Sequence, residues 1–152
     1  MRKIFVPLLL ALTTAGCSPS NLVGVSKGEK NEYDYVDFKE LELSWENVFS
    51  PAKSQYFIYI YSLYCGHCSN IKNDVLTIVD EFRSLFYLIN YSDEIPVGVN
   101  ASETIGKEKI EEIYILGTPT LLEISDKRVV LNIAGETDIT NYLKLLPHNI
   151  CT

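Results

Sequence analysis

Two cysteines separated by two residues, Cys65-Gly66-His67-Cys68, follow the apolar run Tyr56 to Tyr61. A pair at this spacing can do three kinds of chemistry. It can cycle between dithiol and disulfide, supply half of a metal site, or stand as an inert structural disulfide. The metal alternative needs a second pair, and His148-x-x-Cys151 formally provides one, giving four zinc ligands with Cys65 and Cys68. The remaining cysteine, Cys17, lies in a different kind of segment.

That segment reads as an export signal, to be set aside from fold reasoning. Met1-Arg2-Lys3 is a positive start, and Ile4 to Leu12 is an apolar stretch interrupted by Pro7. It is far shorter than the roughly 20 residues a spanning helix needs. Thr14-Ala15-Gly16-Cys17 then resembles a bacterial lipobox, with Thr14 standing where an aliphatic residue is usual. The plainer alternative is an ordinary cleaved signal followed by a chance cysteine. On the lipobox reading, residues 1–16 are removed, and acyl chains on Cys17 hold the chain at the outer face of a bacterial cell membrane without spanning it. Disulfides persist in such a compartment, so thiols there are paired, metal-bound or redox-active.

The chain has 152 residues, 47% of them hydrophobic and 22% charged, which is enough for one domain with a real core. Its formal charge is -7, and residues 17–152 carry 11 basic and 20 acidic side chains. An acidic balance of this kind argues against nucleic acid as a partner and for proteins or small thiols.

The elements that must position the dithiol follow from hydrophobic pattern. Residues 17–34 are polar with little periodicity and read as a flexible tether, leaving 35–152 as the domain. Val36, Phe38, Leu41 and Leu43 predict a first strand, and Ser44 an N-cap for a short helix through Trp45, Val48 and Phe49. Tyr56 to Tyr61 is continuously apolar, the pattern of a strand buried on both faces. After Cys65, residues Ile71, Val75, Ile78, Val79 and Phe82 mark one helical face. Leu85 to Tyr91 predicts another strand, and Ser102 to about Ile113 a helix weakened by Gly106. Thr120–Ser125 and Arg128–Ala134, joined by Asp126-Lys127, predict a hairpin, and Asp138 to Leu146 a last helix. This order implies an α/β domain, a central mixed sheet flanked by helices on both faces.

The order of elements resembles the thioredoxin fold, and two motifs carry the resemblance over roughly Tyr35 to Leu146. Cys65-Gly66-His67-Cys68 stands at a strand-to-helix junction, and Gly117-Thr118-Pro119-Thr120 follows about fifty residues on, ahead of the hairpin. The quartet itself is similar to that of protein disulfide isomerases. The resemblance implies a thiol–disulfide oxidoreductase acting on protein thiols and disulfides. It implies a cis-proline at Pro119 facing a redox-active Cys65–Cys68 pair, and a backbone at Thr118 that bonds an extended substrate. No cofactor beyond the dithiol is implied, and an unidentified redox partner resets it.

Physical chemistry assigns roles within that frame. Unpaired N–H groups and the positive end of the helix dipole favour a thiolate at Cys65, making it the nucleophile. Cys68, one turn on, resolves the mixed disulfide. Gly66 leaves the turn open to a bulky substrate, and His67 adds positive charge or a donor beside the thiolate. Its plainer alternative is an exposed polar residue on a first helical turn. Tyr64 stands where the family usually has tryptophan and is either a contact surface or a packing residue. Tyr59 occupies the position, six residues before the first cysteine, where many relatives bury a carboxylate. A phenol with an ordinary pKa near 10 is a poor base at neutral pH, so either proton transfer goes through water or another carboxylate, with Glu123 as the candidate, or the chain works mainly in its oxidised form. The competing functional class is a catalytically silent lipoprotein that serves as a binding or accessory module.

Overall fold

The computed structural model describes residues 32–98 and 101–146. The expected signal at 1–16, Cys17, most of the tether, His148 and Cys151 lie outside the described residues. All the elements below belong to the compact unit Glu32–Thr152.

The apolar run forms strand β1, Gln55–Tyr61, with every residue after Gln55 buried. Alternation sends Phe57, Tyr59 and Tyr61 into one core cluster and Tyr56, Ile58 and Ile60 into another. A strand whose two faces are both covered must be apolar throughout, which is why this stretch does not alternate in type. Burying each large side chain fully contributes about 1.5–3 kcal/mol. Strand β2, Phe86–Asn90, pairs with β1 in parallel, and β3, Thr120–Ser125, pairs antiparallel on its other side. Strand β4, Arg128–Ala134, completes the order β2-β1-β3-β4.

The parallel β1–β2 pair requires a crossover, and helix α1, Gly66–Glu81, supplies it. Its buried residues Ile71, Val75, Leu76 and Val79 pack on Phe57, Tyr59 and Tyr61. Helix α2, Glu136–Leu143, adds Ile139 and Leu143 to the same face. The hairpin turn at Asp126-Lys127 has φ of 48° and 63°, the left-handed pair that a two-residue connection requires. A bulge between Glu123 and Ile124 lets Leu131 and Val129 serve opposite faces of the sheet.

Three predicted elements take another form. Val36 to Leu43 is not a strand: Tyr35–Leu41 is a 3₁₀ helix, kinked at Phe38 and opened by a capping box between Asp34 and Asp37. Three residues per turn put Tyr35, Phe38 and Leu41 on one side, all against the α-helical face, while Val36 points to solvent. Of the strand there remains a single bridge from Glu42 to Leu88. Likewise Ser102 to Ile113 is two 3₁₀ turns, Ala101–Thr104 and Ile110–Glu112, rather than one α-helix. Between them Gly106, at φ +84°, donates to the Val129 carbonyl, and Val129 donates back to Lys107. Backbone groups spent on β4 cannot close a helical ladder. The short helix after Ser44 is also 3₁₀, Trp45–Asn47, and the Ser44 hydroxyl accepts from the Asn47 side chain instead of capping the backbone. Helical elements thus cover both faces of the sheet, with α-helices on one and 3₁₀ turns carrying Trp45, Ile110 and Ile113 on the other.

Candidate functional site: a dithiol at a helix N-terminus

Strand β1 ends at Tyr61, and three residues later Cys65 is the N-cap of α1, with extended φ/ψ of -95° and 115°. This puts its sulfur against the unpaired amides of the first turn. The Cys68 N–H donates to the Cys65 sulfur at 3.2 Å. Cys65 is half-buried and Cys68 is 1% exposed, and both are free thiols.

The two sulfurs are chemically unequal. Burial works against a thiolate at Cys65. Hydrogen bonds from the Cys68 thiol, the Thr118 side chain and the N–H groups of Cys68 and His67 outweigh it, so Cys65 titrates below the ordinary thiol value. For Cys68, burial and the bond to Cys65 act together and push the thiol up to about 11. The more exposed sulfur is therefore the more acidic one.

A second segment meets the dithiol from β3. The Thr118–Pro119 peptide is cis, and the Cys65 thiol donates to the Thr118 carbonyl at 3.1 Å. Two glycines hold this segment in shape. Gly117 has φ +139°, and its carbonyl accepts the Thr120 hydroxyl at 2.6 Å. Gly135, at φ +96°, donates its N–H to the Pro119 carbonyl at 2.9 Å. The loop before β3 is thereby tied to the junction of β4 and α2.

The surface around the sulfur is open. Tyr64 is fully exposed and packs on nothing, Leu63 is exposed beside it, and a side-chain atom placed on Gly66 would meet no neighbour within 4 Å. The His67 side chain is 70% exposed and its Nδ1 lies 3.2 Å from Glu136 Oε2. Asn70 donates to the same oxygen at 2.9 Å. The Asn70 bond first, and His67 second, hold the Glu136 carboxyl below its ordinary range. Glu136 was not singled out in the sequence; its position immediately after the glycine that closes the hairpin is the signal that marks it. On the other side of Cys65, an open cleft is lined by Asp34, Tyr35, Leu63, Ser69 and Lys72.

Below the dithiol the polar groups differ from those expected. Tyr59 is fully buried, and burial drives its phenol far above the ordinary value, so it is no base. Tyr35, absent from the sequence-based candidates, joins it in the same cluster with Cys68. Glu123 does not reach the site as a proton acceptor: it pairs with Phe57, farther down β1, and its carboxylate accepts from Tyr142 at 2.6 Å and Gln55 at 2.7 Å. Among the described residues no group of three or more His, Cys, Asp or Glu side chains could hold a metal ion, and His148 and Cys151 lie outside them. Among the described residues, too, no helix is long and apolar enough to cross a membrane.

No protein-family model matches the sequence, and no curated protein matches it. Solved structures do. Mitochondrial thioredoxin 3 from Saccharomyces cerevisiae aligns at 14% identity and a TM-score of 0.50, covering 74% of this chain and 98% of its own. Spinach chloroplast thioredoxin f aligns at 13% identity and 0.50, covering 76% and 94%. A thioredoxin f2 solved with ferredoxin:thioredoxin reductase aligns at 13% and 0.50, covering 72% and 94%. At such identities the likeness is one of architecture. The chain has a thioredoxin-like fold.

Proposed function

We propose that this chain is an extracytoplasmic thiol–disulfide oxidoreductase, anchored by lipid on Cys17 at the outer face of a bacterial cell membrane. The observation that carries the reading is the asymmetric dithiol: an acidified, accessible Cys65 at a helix N-terminus, a buried Cys68 one turn below, and the carbonyl of the cis Thr118–Pro119 peptide 3.1 Å from the Cys65 sulfur. The thiolate of Cys65 attacks a substrate disulfide, forming a Cys65–substrate bond and expelling the other substrate sulfur. Cys68 then attacks Cys65, closing the protein disulfide and releasing the second substrate thiol. Run backwards, the same steps place a disulfide in the substrate.

The surrounding residues divide the remaining work. Gly66 and the exposed Tyr64 leave room for, and contact, a protein substrate. Thr118 and Pro119 lie beside Cys65, where an extended peptide can add its backbone in β fashion. His67 supplies positive charge or a hydrogen-bond donor beside the thiolate. No cofactor is needed, and a separate redox protein resets the pair.

The test is exchange with a protein substrate, using insulin reduction and oxidation of a dithiol peptide as the two directions. Wild type is expected to catalyse at least one. Cys65→Ser should abolish it, and Cys68→Ser should accumulate a mixed disulfide through Cys65. A wild-type protein inactive in both directions overturns the proposal in favour of a silent binding module.

A further inference from the structure

Two phenols lie beneath the dithiol, and beyond each other their hydroxyls have nothing in the protein to bond. Tyr59 of β1 is fully buried and Tyr35 is 6% exposed, and neither hydroxyl has a further hydrogen-bond partner. Both rings share a cluster with Cys68, and Cys65 packs against it. Each phenol interacts electrostatically with both thiols, and the two hydroxyls interact with each other. Their positions are fixed: Tyr35 stacks on Tyr61 at 3.6 Å and 9°, and Tyr59 lies parallel to the same ring at 6.3 Å. Tyr35 also lines the cleft beside Cys65, so the pair runs from the buried sulfur towards solvent.

A buried hydroxyl without an acceptor is costly in a folded protein, and charge on the neighbouring Cys68 sulfur would supply one. We propose that Tyr59 and Tyr35 are positioning residues, a neutral donor pair that receives the negative charge developing on the Cys68 sulfur; this rests on the redox reading of the dithiol. When Cys68 resolves a mixed disulfide, the Cys65–Cys68 bond forms and the Cys65–substrate bond breaks. The electron pair leaves on the substrate sulfur, which ends with the proton that Cys68 gave up. In the reverse direction Cys68 is the leaving group and carries the same charge. Burial keeps both phenols protonated, so they donate hydrogen bonds without taking the proton, as preorganised donors do at other sites of developing charge. The groups facing the pair are the two thiols and Tyr61, with Asp34 and Lys72 at the cleft.

The experiment mixes the reduced full chain, with Cys17 and Cys151 replaced by serine in every arm, with one equivalent of Ellman's reagent. The first release of thionitrobenzoate reports attack by Cys65, and the second reports resolution by Cys68. Tyr59→Phe and Tyr35→Phe should each keep the first rate and slow the second by about tenfold. The second step's pH midpoint should also move upward. Variants that match wild type in both phases and in pH profile overturn the donor pair, even if loss of a buried hydroxyl raises their melting temperature. A wild-type chain that keeps its mixed disulfide with no second release overturns the redox reading itself, which is a separate result.

Discussion

The imidazole Nδ1 of His67 lies 3.2 Å from Oε2 of Glu136, across the contact between α1 and α2. On the proposed role of His67, whatever charge it brings to the Cys65 thiolate is shared with a carboxylate, and the carboxylate itself opposes a thiolate nearby. Replacing Glu136 by Gln removes both effects and stabilises the reduced form. The Cys65–Cys68 disulfide should become slightly more oxidising, the shift staying small because the pair is exposed. Equilibration with glutathione measures this. In a His67→Ala background most of the shift should vanish; an undiminished shift would mean that Glu136 acts on the sulfur directly.

The inequality of the two thiols predicts their alkylation. Cys65 titrates below the ordinary thiol value and Cys68 at about 11. Iodoacetamide at neutral pH should label Cys65 alone, with its rate rising through a midpoint below that of a free cysteine. Cys68 should stay unlabelled until strongly alkaline pH. Mass spectrometry of pulse-labelled protein reads both midpoints, and simultaneous labelling at pH 7 would contradict the assignment of nucleophile and resolving thiol.

How much of this was legible in the sequence depends on the range of the forces involved. β1 could be read because both of its faces are buried, so every residue from Tyr56 to Tyr61 reports the same environment. The inner face of α1 and the two-residue turn at Asp126-Lys127 were legible because their signals are local. Tyr35–Leu41 was not, since apolar residues three apart can be mistaken for an irregular strand when no partner strand is visible. The segment around Gly106 escaped because its backbone bonds go to Val129, over twenty positions away. Of the site, the quartet and Thr118-Pro119 stand in the sequence as motifs. Glu136 and Tyr35 become part of it only through the packing of α2 on α1 and of the first 3₁₀ helix under β1.

Burial of Cys68 makes the reduced protein sensitive to alkali. Its pKa is raised from 9.0 to about 11 in the fold, so the folded state holds a proton that the unfolded chain releases above pH 9. The sign follows: the stability present below pH 9 declines as pH rises from 9 to 11, by about 1–2 kcal/mol for this group. Urea unfolding of the reduced protein should show the decline, and Cys68→Ala, which has no thiol to ionise, should lose that much less over the same interval. Equal losses in the two proteins would place the alkaline sensitivity elsewhere, with the buried phenols of Tyr35 and Tyr59 as the next groups to titrate.

Two glycines of the site, Gly66 and Gly135, should respond oppositely to alanine. Gly66 begins α1, has no unusual φ, and a methyl group there meets nothing within 4 Å. Gly66→Ala should therefore leave stability unchanged or raise it by up to about 1 kcal/mol through helix propensity. Its methyl would still stand on the open side of Cys65, so exchange with a protein disulfide should slow more than exchange with a small thiol. Gly135 also has open space around it, but its φ of +96° is one that an L side chain rarely adopts. Gly135→Ala should destabilise the fold by about 1–3 kcal/mol through backbone strain alone. Because its N–H holds the Pro119 carbonyl, relaxation at residue 135 moves the segment that faces Cys65, and exchange should fall with both substrates. Thermal melts combined with insulin and small-disulfide assays separate the two patterns, and a stable Gly135→Ala variant with normal exchange would remove this glycine from the account of how Thr118-Pro119 is held.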